Sequence, residues 1–225
     1  MDKKIKVLMI ADHPLSPSGV GTQTKYVCEA LLNTGRYSIV NLGGAIKHND
    51  YNPVNVEPYK GDWKIIPVDG YGNHQMIRSI LATEKPDILW FMENEIRALC
   101  PIVYYHVWDN YPYPIFNKNF YDSNDVIAAI SKVTHDIVKN VSPTVECHYV
   151  PHAVNGEVFK KVSEEDCKKF YEESSPFKDE ALGDKFTFFW NNRNARRKQS
   201  GTLIYWFKEF LDEVGHDKAR LIMHT

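Results

Sequence analysis

Cysteine is scarce in this sequence, and its spacing does not suit metal binding. Neither a CxxC pair nor short ligand spacing occurs among the four cysteines, which are Cys28, Cys100, Cys147 and Cys167. Structural zinc sites need such spacing, so we expect free thiols in a reducing compartment. The first residues lead directly into a strand-like run, with no apolar signal region before it. These absences predict a cytoplasmic protein.

Long apolar runs and a strong net charge are also missing. No stretch approaches the roughly 18 apolar residues of a transmembrane helix. The net charge of −2 argues against nucleic-acid or membrane-surface binding through bulk charge. The hydrophobic share of 43% in 225 residues is enough for a real core, which argues against disorder. The length suggests one large domain, or one domain with part of a second.

Short apolar segments alternate with amphipathic ones along most of the chain. The patterns predict strands at residues 6–11, 37–42, 63–68, 87–92, 102–107, 126–130 and 145–150, and helices at 22–32, 74–83 and 132–140. Residues 49–61 are polar and contain two prolines, so we predict a loop or insertion there. Ser131 is the expected N-cap of the helix at 132–140. The alternation predicts an α/β fold with a Rossmann-like, doubly wound parallel sheet.

A second unit is expected after a charged boundary between residues 164 and 185. We predict one domain at 1–170, a linker at 171–185 and a second Rossmann-like unit at 186–225, with strands at 186–190 and 219–224 around a helix at 200–214. Such a β-α-β unit is too small to enclose its own core, so we expect it to be incomplete. The helix should then leave an apolar face uncovered and favour self-association, through Ile204, Trp206, Phe207, Phe210 and Leu211.

Gly19 and Gly21 stand between the first strand and the first helix. Glycines there let backbone approach a ligand, and N–H groups at a helix start favour an anion such as a diphosphate. A dinucleotide fingerprint would need a third small residue where Thr24 stands, and an acidic residue where the second strand ends in Leu42-Gly43-Gly44. NAD binding is therefore disfavoured. A tight turn without a ligand is the alternative.

Aromatic and polar residues leave the strand at 102–107, at the edge where open α/β sheets place ligands. His106 could donate to a sugar hydroxyl, and Asp109 could accept from one. The alternative is a histidine satisfied at the end of its strand.

Four cations fall within six residues after the strand at 186–190, namely Arg193, Arg196, Arg197 and Lys198. Arginine can make two parallel hydrogen bonds to phosphate oxygens, and lysine adds a compact positive charge, so this turn suits a diphosphate. The alternatives are a solvated charge run and a nucleic-acid-binding turn, although no basic patch elsewhere supports the latter. Asp122 and Asp125 are not spaced as an Asp-x-Asp metal motif, so we expect charge stabilisation without a metal.

The stretch from Val150 to Phe159 (VPHAVNGEVF) completes a pattern. Pro151 ends a strand, Asn155-Gly156 suits a turn with positive φ, and Phe159 is a possible apolar anchor. This stretch resembles the Pro-His/Asn-Gly-Val-Asp-x-x-x-Phe segment of retaining, family-4-like glycosyltransferases of the GT-B fold, with Ala153 and Asn155 where Gly and Asp are usual. The glycine turn, the strand-exit histidine and the Arg…Arg-Lys turn follow in that family's order. Asn192 and Gln199 replace two of its glycines.

The resemblance implies an N-terminal lobe that binds the acceptor, followed by the truncated start of the donor-binding lobe. It implies transfer from a nucleotide-diphospho-sugar to a glycan, lipid or small-molecule acceptor with retention, and no cofactor. His106 would position the donor sugar, assisted by Asp109. Arg193 and Lys198, with Gly19 and Gly21, would hold the diphosphate. The chain alone is expected to be inactive. A non-catalytic glycan- or nucleotide-binding module and another Rossmann-like nucleotide-sugar enzyme, such as an epimerase or reductase, remain the alternatives.

Overall fold

The computed structural model describes residues 3–91, 100–173, 175 and 185–225. The chain divides into two compact units, Met1–Asn155 and Gly156–Thr225. Most of the linker predicted at 171–185 lies outside the described residues, and the predicted domain limits stay a prediction.

The first unit is built on one sheet, in which the described residues form eight strands. They are β1 (Ile5–Asp12), β2 (Tyr37–Gly44), β3 (Val54–Val56), β4 (Lys60–Pro67), β5 (Ile88–Phe91), β6 (Ile102–His106), β7 (Val126–Ala129) and β8 (Glu146–Tyr149). Their order is β3-β4-β2-β1-β5-β6-β7-β8, and each described pairing is parallel except that of β3 with β4. The chain runs outward from β1 to β4 and then returns to the other side of β1. The switch point therefore lies between β1 and β5.

The described residues of this unit form four α-helices: α1 (Gly19–Asn33), α2 (His74–Glu84), α3 (Lys118–Asp122) and α4 (Lys132–Val141). Ser131 caps α4 as predicted, because its Oγ accepts from the backbone N–H of Thr134 at 3.0 Å. The capped first turn satisfies a donor that would otherwise lack a partner.

Both faces of the sheet are buried around β1, which explains why its residues from Val7 to Ala11 are all apolar. Val7 and Met9 pack with Cys28 and Leu32 of α1 in one core cluster. Leu8 and Ile10 belong to a second cluster, which includes Ile77 of α2 and Ile137, Val138 and Val141 of α4. Because successive strand residues point to opposite faces, helices must cover both. The predicted Rossmann-like, doubly wound α/β fold is confirmed.

One local prediction is wrong, and one short helix was not predicted. The segment at 49–61 is not only a loop, because it contains β3 and the start of β4. β3 is a three-residue strand at the edge of the sheet, and its pairing with β4 shifts register between Asn55 and Val56. Three residues are too few for an alternating pattern to stand out in the sequence. Helix α3 has five residues, too few for an apolar period. Predicted strand residue 92 lies outside the described residues.

The second unit contains α5 (Glu164–Glu173), β9 (Phe186–Asn191), α6 (Ser200–Val214) and β10 (Ala219–His224). β9 and β10 are parallel neighbours, as a β-α-β unit requires. The predicted bounds of α6 and β10 are confirmed, and β9 extends one residue further than predicted. The side chains of Ile204 and Trp206 are 54% and 65% exposed, so part of the predicted face is uncovered. Self-association through it stays a prediction.

Candidate functional site

The candidate site of the first unit lies where β1, β2, β4 and β6 end, which we call the carboxyl edge. Open α/β sheets bind ligands outside these strand ends, next to the switch point. The last residues of the four strands are Asp12, Gly44, Pro67 and His106. The chemistry of this edge depends on the loops that follow them.

A hydrogen-bonded group surrounds the carboxylate of Asp12. Tyr71 donates from Oη to Asp12 Oδ1 at 2.8 Å, and Ser18 donates from Oγ to Asp12 Oδ2 at 3.0 Å. Ser18 is also the N-cap of α1, because its Oγ accepts from the backbone N–H of Gly21 at 2.9 Å. Asp12 therefore links the start of α1 to the loop that follows β4. Sequence analysis did not identify Asp12 or Tyr71, although an acidic residue directly after an apolar strand is a usable signal.

Gly19 and Gly21 lie in the first turn of α1, whereas the sequence predicted that the helix would begin at residue 22. A Cβ on Gly21 would lie 2.7 Å from the backbone oxygen of His13 and 2.3 Å from Ser16 Oγ. The absence of a side chain at Gly21 thus lets the protein's own loop pack closely. Gly19 is exposed, with nothing within 4 Å of an added Cβ. A diphosphate contact at these glycines stays a prediction.

Two histidines approach each other beside Asp12. The ring centroids of His13 and His48 are 5.6 Å apart. His13 Nδ1 accepts from the backbone N–H of Leu15 at 3.1 Å, and His48 Nε2 lies 2.8 Å from the backbone oxygen of Gly43. Burial, followed by the nearby His48, lowers the pKa of His13 below its usual value. A neutral His13 is therefore favoured at this edge.

His106 is deeply buried at the end of β6, with 2% of its surface exposed. Its Nε2 lies 2.7 Å from Tyr121 Oη, and its Nδ1 has no hydrogen-bond partner among the described residues. Burial lowers the pKa of His106 to about 4, so the ring is neutral near pH 7. A sugar could reach Nδ1 only after side chains around it move. Asp109 lies in the exposed loop that follows. The catalytic roles assigned to both residues stay predictions.

The loop after β8, residues 150–155, is attached to α1 and β6. Gln23 donates from Nε2 to the backbone oxygen of Ala153 at 2.8 Å and accepts the N–H of Ala153 on Oε1 at 3.3 Å. The rings of His152 and Tyr105 lie 5.5 Å apart, and burial lowers the pKa of His152. This exit loop therefore lies beside the helix that begins with the two glycines.

Two expectations for the motif after β8 were wrong. Phe159 is 66% exposed and does not act as a buried anchor. Asn155 and Gly156 are not among the described residues with positive φ. The motif therefore forms without the apolar contact and without the left-handed turn that its composition suggested.

In the second unit, the basic turn (residues 193–198) connects β9 to α6. Residues 196–198 form a short 3-10 turn, and Gln199 follows with φ 56°, in the left-handed region. No carboxylate among the described residues lies within ion-pair distance of its four cations. Uncompensated cations before a helix start favour an anion.

The two aspartates excluded as a metal motif have structural partners. Asp122 accepts from Lys118 Nζ at 2.6 Å and from Ser142 Oγ, and Asp125 accepts from the backbone N–H of Ile102 at 2.8 Å. Within the part of the chain that the structure describes, no group of three or more His, Cys, Asp or Glu could hold a metal ion. None of its described helices is long and apolar enough to cross a membrane.

Three solved structures illustrate the similarity of the fold to known proteins. An apo structure of OtsA has a TM-score of 0.62 and 10% identity over 98% of this chain and 65% of that chain. An E. coli trehalose-6-phosphate structure bound with UDP-2-fluoro glucose has a TM-score of 0.62 and 10% identity over 97% of this chain and 64% of that chain. An α,α-trehalose 6-phosphate synthase from Burkholderia multivorans has a TM-score of 0.63 and 13% identity over 99% of this chain and 64% of that chain.

Neither a protein-family model nor a curated protein matches the sequence. The chain spans 64–65% of the length of these solved structures. At 10–13% identity the likeness is one of fold, and it supports the Rossmann-like architecture expected for a GT-B N-terminal region. The chain therefore shares the fold of these three solved structures.

Proposed function

We propose that this chain belongs to a retaining glycosyltransferase that uses a nucleotide-diphospho-sugar and needs no metal ion. The observation that carries the proposal is the basic turn, whose cations have no carboxylate partner among the described residues. The fold of the chain also resembles a structure bound with UDP-2-fluoro glucose. The first unit would bind the acceptor and the second would bind the donor. The family-4-like type, with a glycan, lipid or small-molecule acceptor, is part of the same proposal.

Arg193 and Lys198 would bind the donor diphosphate. Guanidinium groups make paired, charge-assisted bonds to phosphate oxygens, and an ammonium adds a compact charge. These cations precede the start of α6, where backbone N–H groups also favour an anion. In the transfer step they would offset the charge that develops on the departing diphosphate. Gly19 of the first unit is a further candidate for a phosphate contact.

His106 would act as a neutral hydrogen-bonding group. Its low pKa makes general acid catalysis by an imidazolium unfavourable at pH 7. One ring nitrogen is paired with Tyr121, and the other could bond a donor-sugar hydroxyl once the surrounding side chains make room. Asp109, in the loop that follows, would accept from a hydroxyl. Both groups would position the sugar and would not transfer a proton.

Nucleoside diphosphate binding tests the proposal directly. The chain should bind at least one of UDP, GDP and ADP in isothermal titration calorimetry, and R193A and K198A should each weaken binding about tenfold or more. K208A is the matched control, because Lys208 is an exposed cation of α6 that pairs with Asp212. If none of the three nucleotides binds, or if R193A and K198A bind like the parent, the proposed donor site is wrong.

A further inference from the structure

A cavity of about 450 Å³ opens where β4 leads into α2. We call it the β4–α2 cavity, and its lining residues include Tyr51, Val68, Asp69, Tyr71, Asn73 and Met76. The volume is in the range of small-molecule sites. The cavity adjoins the Asp12 group directly, because Tyr71 donates to Asp12.

Two carboxylate–tyrosine pairs give this region its polarity. Tyr51 donates from Oη to Asp69 Oδ1 at 2.6 Å, as Tyr71 does to Asp12. This bond to Asp69 raises the pKa of Tyr51. Each carboxylate keeps acceptor capacity beyond these bonds, since an ionised carboxyl has about four lone-pair sites. Each phenol oxygen can also accept a hydrogen bond from a ligand hydroxyl. The wall therefore offers several acceptors and flat aromatic faces.

The two histidines nearby have defined tautomers. A backbone N–H donates to His13 Nδ1, so a neutral His13 carries its proton on Nε2. His48 must donate from Nε2 to the backbone oxygen of Gly43, which leaves Nδ1 as the acceptor in its neutral form. The His48 ring also contacts Tyr51, with centroids 5.6 Å apart. Neither histidine is among the described lining residues, so the pair borders the cavity only through the contact of His48 with Tyr51.

The charge of the cavity selects against anions. Neither lysine nor arginine is among the described residues that line it, whereas Asp69 is part of its wall and Asp12 lies behind Tyr71. Lys47, in the loop between β2 and β3, is exposed and is not part of the wall. A phosphate group here would meet the like charge of Asp69 and no cation among the described lining residues. Hydroxyl groups, by contrast, can donate to the carboxylate of Asp69.

We propose that the β4–α2 cavity binds the acceptor, and that the acceptor presents a neutral sugar or polyol ring instead of a phosphorylated one. The acceptor role rests on the proposed function, whereas the preference for a neutral ring rests on the cavity itself. Asp69 sets this preference by accepting from ligand hydroxyls and repelling phosphate. Tyr71 supplies a ring face and holds Asp12 in place.

Saturation-transfer NMR with three probes tests the preference on the full chain. Methyl α-D-glucopyranoside and methyl α-D-mannopyranoside are the neutral probes, and glucose 6-phosphate is the anionic one. We expect saturation transfer to at least one neutral probe, with affinity about tenfold or more above that for glucose 6-phosphate. Transfer to neither neutral probe, or equal or tighter binding of glucose 6-phosphate, overturns the inference.

The D69N exchange separates charge selection from a merely structural role. It should weaken binding of the neutral probe about fivefold, because one charged acceptor is lost, and it should improve binding of glucose 6-phosphate. A structural defect would weaken both. D62N is the matched control, because Asp62 lies near the start of β4, whereas Asp69 follows its end, and Asp62 pairs with Lys4. If D69N leaves the ratio of the two affinities unchanged, Asp69 does not set the preference.

Failure of this inference is distinguishable from failure of the proposed function. D69N should bind the nucleoside diphosphate like the parent, and R193A should bind the neutral probe like the parent. Nucleotide binding without neutral-sugar binding would overturn the acceptor cavity alone. Sugar binding without nucleotide binding would leave the cavity in place and remove the donor proposal.

Discussion

The side-chain amide of Gln23 binds the backbone of Ala153 through two hydrogen bonds, of 2.8 Å and 3.3 Å. The two residues are 130 positions apart in sequence. Through this pair, α1 holds the exit loop at the point where the first unit ends, before Gly156. The motif that suggested a glycosyltransferase is thus fixed to the helix that begins with the glycine turn.

Replacing Gln23 by alanine should loosen the exit loop without disturbing the core. The loss of two partly exposed hydrogen bonds should reduce the free energy of unfolding by about 1–2 kcal/mol in urea denaturation. Limited proteolysis should cut residues 150–155 faster than in the parent. Q75A is the control, because Gln75 is exposed on α2. Equal cleavage rates in Q23A and the parent would show that the amide does not hold the loop.

His106 should make the protein less stable in acid. Its pKa is about 4 in the folded protein, against an ordinary value of 6.5. Between these two values the unfolded chain binds more protons, so stability falls as the pH is lowered. The full difference between the two pKa values corresponds to about 3 kcal/mol in the free energy of unfolding. Most of this loss should occur between pH 6.5 and pH 4.

An H106Q variant isolates this contribution, because glutamine does not titrate and can still bond Tyr121. His13 and His152 also have lowered pKa values and act in the same direction, but they are present in both proteins. Urea unfolding at a series of pH values should therefore show the parent losing stability relative to H106Q as the pH falls. A difference that is constant from pH 7 to pH 4 would contradict the burial of a neutral His106.

The sequence predicted the sheet well because its strands are buried on both faces. Val7 to Ala11 are all at most 2% exposed, so the apolar run leaves little doubt about a central parallel strand. Ser131 was predictable for a similar reason, since a cap depends only on neighbours three residues away. Local chemistry determines such features.

Groups that meet through the register of distant strands were not predictable. His13 approaches His48 because Asp12 pairs with Gly44 in the parallel ladder of β1 and β2, and no spacing in the sequence encodes that contact. The Tyr71–Asp12 bond joins residues 59 positions apart. His106 was predicted at the strand end, but its burial depends on Tyr121 of α3, a helix that the sequence did not reveal.

Gly44 should tolerate no side chain, because the loop after β4 passes directly over it. A Cβ there would lie 1.9 Å from the backbone oxygen of Gly70, and backbone atoms cannot move aside as a flexible side chain can. Overpacking of this kind costs roughly 1–3 kcal/mol or more, so G44A should unfold at lower urea concentration. G61A is the control, since an added Cβ at Gly61 meets nothing within 4 Å.

If G44A and G61A are equally stable, the Gly70 carbonyl does not pack directly against Gly44 of β2. The prediction also bears on the cavity, because Gly70 is part of its wall. A G44A protein that still folds should therefore bind the neutral sugar probes less well than G61A, since the displaced loop carries Asp69 and Tyr71 on either side of Gly70.

Replacing Gln199 by glycine should make the protein more stable, because Gln199 occupies a left-handed conformation at φ 56°. That conformation costs a residue with a Cβ roughly 1–2 kcal/mol, and the greater freedom of glycine in the unfolded chain offsets roughly 0.5–1 kcal/mol of the gain. Q199G should therefore stabilise the protein by about 0.5–1 kcal/mol. Valine, which is β-branched, should destabilise it. The fluorescence of Trp190 and Trp206 reports on the same unit during thermal unfolding.

E209G is the matched control for the glycine exchange. Glu209 is exposed within α6, where glycine costs roughly 1 kcal/mol, so glycine should act with opposite signs at the two positions. A destabilised Q199G would show that Gln199 is not left-handed. A stabilised Q199G would show that glutamine is strained at this position, where the resembled family has glycine. Its affinity for nucleoside diphosphate should be unchanged, because the cations keep their place before α6.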